Sequence, residues 1–132
     1  MKKVFIISNF KGDIEANIQK ALYYGQIVIG TGRIPVVPYL YFKQFLNETN
    51  PNEKMKIIDM GLELMEDCDE VYLMGFDITE GMEFELDYAR GLRIPVCLFD
   101  ADMNRINIRT LRVDERATPE YCSAIRGLRL VQ

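Results

Sequence analysis

Apolar residues in this chain fall into two patterns: short unbroken runs, and stretches in which they recur every three or four positions. Val4 to Ser8, Ile34-Pro35-Val36-Val37, Glu70 to Phe76 and Ile94 to Phe99 are of the first kind. Runs this short and continuous predict strands buried on both faces, as in a parallel sheet. A helix is predicted from Ile14, with Ile14, Ile18, Ala21, Leu22, Val28 and Ile29 as its apolar positions and Gly30 and Gly32 past its end. A second helix runs from Pro51 to about Cys68, with proline in the first-turn position it favours. A third opens near Thr79 and ends near Gly91. Tyr39 to Asn50 is aromatic-rich and ends in turn residues, which suits a short helix plus a loop. The tail offers a fifth strand at Ile106 to Val113 and a short helix from Pro119.

Strands that alternate with helices predict an α/β fold with helices on both faces of a parallel sheet. Right-handed crossovers then favour a flavodoxin-like, doubly wound sheet in the order 2-1-3-4-5, formed by residues 1–132 as a single domain. Ligands in such sheets sit at the carboxyl ends of the strands. Three segments fall there: the Asn9–Asp13 turn, the Asp77–Met82 turn and the stretch after Phe99.

Composition narrows the chemistry. Histidine is absent, which removes Ser-His-Asp and Cys-His catalysis and most zinc sites. Net charge is −4 with no basic block, so no nucleic-acid polymer is expected as a partner. Cys68, Cys97 and Cys122 are widely spaced in apolar segments and read as buried thiols of a reducing cytoplasm, without metal-ligand spacing. Met1-Lys2-Lys3 precedes an apolar run too short for a signal peptide or a membrane span, so a cytoplasmic protein without a membrane partner is expected. Neither a metal nor a cofactor is called for.

Glu85 is the residue that breaks the pattern. The third helix has a core stripe of Met82, Glu85/Leu86 and Ala89, at the spacing of a buried face. Glu85 therefore points towards the sheet, while Glu83 and Asp87 lean outward. An acid on the inner face of a first turn is either paired or functional. The helix dipole there favours the ionised form and suits a nucleophile; the alternative is an acid that only complements the dipole. Two helix N-termini face the expected cleft and suit an anion. One carries Lys11 and Gly12, the other Thr79 and Gly81. Against this, Asp13 and Thr79 also fit as helix caps and Gly12 as a turn residue.

The order and spacing of three segments resemble the nucleoside 2-deoxyribosyltransferase-like superfamily, including its deoxynucleoside-monophosphate N-glycosidases and an uncharacterised bacterial and phage branch. They are Phe5-Ile6-Ile7-Ser8-Asn9-Phe10-Lys11-Gly12 with Asn17, Gly61 to Met65 through Cys68 to Gly75, and Ile78 to Ala89. The stretch from Gly32 to Phe42 looks like the uncharacterised branch. The resemblance implies that Glu85 attacks the anomeric carbon of a deoxyribose and that water or a second base resolves the glycosyl-enzyme. It implies a 5′-phosphate held by Asn9, Lys11 and Thr79, with Ser8, Phe10, Gly12, Gly81 and Met82 completing the binding site. Phe10, Tyr39, Tyr41 and Phe42 are candidates to stack on a base, with core packing as the alternative. The resemblance also implies a homodimer or higher homo-oligomer, in which Asn104 or Asn107 would complete a neighbour's site.

One departure stands out. The superfamily carries an aspartate on the long helix where this chain has Gly61. Asp59 and Glu63 flank that position and would reach the cleft only if the helix were shifted. Asp77, at the carboxyl end of the third strand, is a further candidate substitute. The enzymatic reading is cleavage or transfer at an N-glycosidic bond; the alternative is a protein that binds a nucleotide or nucleotide-derived ligand in the same cleft without turning it over.

Overall fold

The computed structural model describes all residues, 1–132. Five parallel strands form one sheet: β1 (Lys3–Ile7), β2 (Ile34–Val36), β3 (Glu70–Met74), β4 (Pro95–Phe99) and β5 (Arg129–Val131), in the order β2-β1-β3-β4-β5. The fold and strand order are those read from the sequence. Phe5 pairs with Val36 on one side and Val71 on the other, and Ile7 pairs with Leu73. β2 is an edge strand, so Pro35 removes no interior ladder bond.

Strand alternation divides the core in two. Phe5, Ile7, Val71, Leu73, Val96 and Leu98 face one way, against Met65 of α3 (Pro51–Glu66) and Met82, Leu86 and Ala89 of α4 (Glu80–Leu92). Val4, Ile6, Tyr72, Met74, Cys97 and Phe99 face the other, where α1 (Ile14–Gly30) contributes Tyr24 and Val28. A five-residue helix, α2 (Pro38–Phe42), follows β2 and packs on α3.

Three expectations are corrected. The buried face of α1 is Ala21, Tyr24, Gly25 and Val28; Leu22 and Ile29 are 44% and 63% exposed, and Gly30 lies inside the helix. The phase turns on Tyr24, whose ring packs in the core while its hydroxyl donates to the Ala101 carbonyl at 2.7 Å. The strand expected at Ile106 to Val113 is a 3₁₀ turn over Ile108–Val113, begun by Asn107, whose side chain accepts from the Arg109 N–H at 2.9 Å. The fifth strand forms at Arg129–Val131, after α5 (Pro119–Ala124). The three thiols are all free, but only Cys97 is buried; Cys68 is half-buried and Cys122 is exposed. No helix is long and apolar enough to cross a membrane.

Leu73 and Leu22 give the two extremes of this packing. Leu73→Ala should cost about 2–5 kcal/mol of unfolding free energy, through lost transfer energy and the cavity left behind. Leu22→Ala should change it by less than about 0.5 kcal/mol. Urea titration of both variants checks the phase of α1, and equal losses would return Leu22 to the core.

Candidate active site

A cavity of about 380 Å³ opens at the carboxyl end of β1, where the strand order reverses. This is the crevice in which open α/β sheets place ligands, and the volume lies within the usual range for small-molecule sites, about 300–1,000 Å³. One side is built by the end of β1 and the turn into α1, with Ser8, Phe10, Lys11 and Gly12. The first turns of α4 supply Thr79, Glu80, Gly81, Met82 and Glu85. The β2 side supplies Val37, Pro38 and Tyr39, and beyond it Glu48 and Thr49 of the loop before α3.

The turn after β1 is shaped by its own side chains. Asn9 Oδ1 accepts from the Lys11 N–H at 2.7 Å, and Asn17 donates to the Lys11 carbonyl at 2.8 Å. Gly12 has φ +88°, a left-handed conformation that favours glycine. Asp13 caps α1 by accepting from the Ala16 N–H at 3.1 Å. Ser8 is the one buried polar residue and lines the cavity. Thr79 caps α4, accepting from the Met82 N–H at 3.2 Å.

Glu85 sits one turn deeper than expected. With Thr79 as the cap, the acids of the first turn are Glu80 and Glu83, and Glu85 belongs to the second turn. The pull of a helix N-terminus fades within the first turn, so it does little for Glu85. Burial instead governs the group: it alone pushes the Glu85 carboxyl up to about 8. Burial thus favours the neutral form, against the ionised form that the helix dipole was expected to favour. Glu83, two residues earlier, is exposed.

The other expected residues divide cleanly. Ser8, Phe10, Lys11, Gly12, Thr79, Gly81 and Met82 share the cavity with Glu85. Asn9 does not line it; its side chain holds the turn. Asp59 and Glu63 are exposed on the outer side of α3, and Asp77 is exposed beyond β3. None of these three acids is in place to act on a molecule in the cavity. Gly61 is: it lines the cavity, and a Cβ there would stand 3.3 Å from Pro38 Cβ. Of the aromatics, Phe10 and Tyr39 line the cavity and stack on each other, with ring centroids 4.0 Å apart and planes 22° from parallel. Tyr41 and Phe42 do not line it. Asn104 and Asn107 serve local turns, Asn104 with Asp100 and Asn107 with Arg109.

Sequence reasoning brought Gly61 to the site but missed the rest of the wall supplied by α3. Lys54, Ile57, Ile58 and Gly61 all line the cavity, at the i, i+3, i+4, i+7 spacing of one helix face. That signal was present in the sequence. Glu48 and Thr49 carried none, because a loop has no periodicity to read. No group of three or more His, Cys, Asp or Glu side chains is arranged to hold a metal ion.

Comparison with known proteins bears on the fold. Residues 2–99 match the family described as a domain of unknown function (DUF7768). No curated protein matches the sequence. Among solved structures, the chain is similar to the 2-deoxyribosyltransferase of the psychrotolerant bacterium Bacillus psychrosaccharolyticus, a biocatalyst for the synthesis of antiviral and antitumoral nucleosides. The two share 18% identity with a TM-score of 0.62, over 83% of this chain and 80% of that one. It is also similar to a 2-desoxiribosyltransferase from Leishmania mexicana, at 14% identity and a TM-score of 0.57, over 96% of this chain and 97% of that one. At these identities the likeness is one of fold.

The raised Glu85 pKa makes stability depend on pH in a defined direction. The folded state holds this proton up to about pH 8, whereas the unfolded chain releases it near 4.5. The associated stability is fully present below pH 4.5 and is lost as pH rises through 8. Glu85→Gln is neutral throughout, so above pH 8 it should be more stable than the unsubstituted protein, by on the order of 1–3 kcal/mol. Melting temperatures at pH 5 and pH 9 check this. Parallel pH profiles for the two proteins would mean that water in the cavity, not protein, surrounds the carboxyl.

Proposed function

The chain belongs to the DUF7768 family, and we propose that it acts at the N-glycosidic bond of a (deoxy)nucleoside or nucleotide, with Glu85 as the nucleophile. The observation that carries this reading is an acid without an ionic partner in the wall of a cavity at the switch point of the sheet. In the reaction, a Glu85 oxygen bonds to the anomeric carbon as the carbon–nitrogen bond breaks. The bonding pair leaves with the base, which takes up a proton from water. Water, or a second base, then attacks the glycosyl ester and frees the carboxylate. The fold neighbours support the class of chemistry through what they are, 2-deoxyribosyltransferases.

A carboxyl that prefers to be neutral suits this role in one respect. Burial penalises its charge in the empty cavity, and an oxocarbenium-like sugar would remove that penalty by supplying the opposite charge. The carboxylate then interacts more strongly with the transition state than with the ground state, and that difference accelerates a reaction. The resting state carries a cost, because a raised carboxyl pKa reduces the ionised fraction near neutral pH. The first step should therefore quicken as pH rises towards 8.

A second reading, a nucleotide-binding protein without turnover, is favoured by Gly61. At the position where the superfamily resemblance implies an aspartate, this chain has no side chain, and Pro38 occupies the adjoining space. Asp59, Glu63 and Asp77 do not replace it.

Glu85→Gln separates the readings. It should leave the fold intact and reduce release of free base, followed by chromatography, by several orders of magnitude. Glu83→Gln, exposed on the same helix, should be silent in the same assay. Equal effects at the two positions would remove Glu85 from the chemistry. A protein that binds nucleotides and releases no base in any form would be the binder of the second reading.

Lys11 lines the cavity beside the left-handed Gly12. Lys11→Ala should weaken a 5′-phosphorylated ligand more than its nucleoside, by about 1.5–3 kcal/mol, since a charge-assisted bond is lost only when phosphate is present. Equal losses, measured by titration calorimetry, would mean that Lys11 does not meet the phosphate.

A further inference from the structure

Glu48 is the one acid on the β2 side of the cavity, across the carboxyl end of β1 from Glu85. Its loop is folded by other groups. Asn47 Oδ1 accepts from the N–H and hydroxyl of Thr49, at 3.0 and 2.7 Å. The Asn47 N–H donates to Glu53 at 3.2 Å, and Asn50 caps α3. Glu48 itself makes one side-chain bond, accepting from the Tyr39 hydroxyl on Oε2. Two cations are nearby: Lys43 lies over the Tyr39 ring, 5.8 Å from its centroid, and Lys54 lines the cavity from α3, and neither makes an ion pair with the carboxylate. Glu48 Oε1 is left without a partner on a wall it shares with Val37, Pro38, Ile57 and Ile58. Glu48 is half-buried, so this oxygen is open to a donor that enters the cavity.

This inference rests on the glycosidic reading for the orientation of the ligand. With the sugar at Glu85 and a 5′-phosphate at Lys11, the base is left to the β2 side. There the apolar residues suit the faces of a flat ring, and Glu48 meets its edge. We propose that Glu48, held by Tyr39, reads the N–H edge of the base and selects 6-oxopurines, guanine above all, over adenine and cytosine. Guanine offers two neighbouring donors, N1–H and the 2-amino group, to the two carboxylate oxygens, each of which has lone pairs to spare. Hypoxanthine keeps the first donor. Adenine and cytosine offer one amino donor beside a ring nitrogen whose lone pair would face the carboxylate. Sites built around a required donor reject analogues that lack it far more strongly than apolar pockets reject a misfit.

The test is binding and base release with the 2′-deoxynucleosides of guanine, hypoxanthine, adenine and cytosine, each with and without a 5′-phosphate. Calorimetry should give at least tenfold tighter binding for guanine than for adenine or cytosine, with hypoxanthine between. Glu48→Gln replaces two acceptors with one acceptor and one donor, the complement of the adenine edge, so the guanine-to-adenine ratio should fall at least tenfold. Tyr39→Phe keeps a ring against Phe10 and releases only the carboxylate, and should lower the same ratio by a smaller factor. Thermal melts confirm that both variants fold. Equal affinity for all four bases, or a ratio untouched by Glu48→Gln, overturns the assignment. Base preference in binding without release of any base keeps Glu48 and overturns the glycosidic reading. Release at equal rates from all four overturns Glu48 alone, and failure of every compound to bind overturns both.

Discussion

The cavity depends on how closely α2 can approach α3. At residue 61 a Cβ would stand 3.3 Å from Pro38 Cβ and 3.4 Å from its Cγ, tighter than side-chain atoms normally pack, so glycine allows the approach without displacement. A five-residue helix such as α2 is too short to hold itself and takes its place from this packing. Its position carries Tyr39 over the cavity, where the ring meets Phe10 and the hydroxyl meets Glu48. One missing side chain thus sets the aromatic wall and the loop beyond it. The same contact bears on any side chain at 61, whose Cβ would require Pro38 to give by a few tenths of an ångström.

On the α4 side, electrostatics takes the place of sterics. Thr79 satisfies one of the free N–H groups of α4, and Glu80 and Glu83 already complement the helix dipole at the surface. Glu85 gains little from either and bears the burial cost alone. A half-buried carboxyl with no ionic partner gains little from the fold, and Gln would serve packing as well. Such a group makes physical sense where a ligand brings the missing charge.

The fold was legible because strand runs and helical stripes are long-range patterns. β1, β3, β4 and the sheet order followed from them, and so did the inward phase of Glu85. What failed was local. In α1, apolar residues occupy nearly every side, so Leu22 and Ile29 competed with Tyr24 for the core, and a bond from the Tyr24 hydroxyl to Ala101, distant in sequence, decided the phase. At 106–113 the apolar spacing fitted a strand as well as a 3₁₀ turn, and the Asn107 cap tipped it. The ionisation of Glu85 was misjudged by less than two turns of helix, because the charge effect changes over that distance while the apolar stripe does not. Glu48 could not be read at all, since only the tertiary approach of its loop to α2 brings it to the site.

The chain beyond Phe99 packs over the carboxyl ends of β3 and β4 and leaves the crevice at β1 to the first part of the chain. Every residue lining the cavity lies between Ile6 and Glu85, within the stretch that matches the DUF7768 family. The remainder works elsewhere along the same sheet edge. Arg116 bonds Asp100 just after β4 at 3.1 Å and Asp114 at 2.9 Å, and its guanidinium lies 4.8 Å from the centre of the Phe76 ring just after β3. Tyr121 of α5 packs against the same Phe76 ring, with centroids 4.8 Å apart. Each exposed ion pair alone is worth little. Together with the two ring contacts they tie the tail across the ends of β3 and β4. A parallel sheet exposes the carboxyl ends of all its strands, and closing those of β3 and β4 concentrates the accessible polar groups at β1. The division of labour is therefore physical: the first part of the chain builds the site, and the last part packs over the ends of β3 and β4.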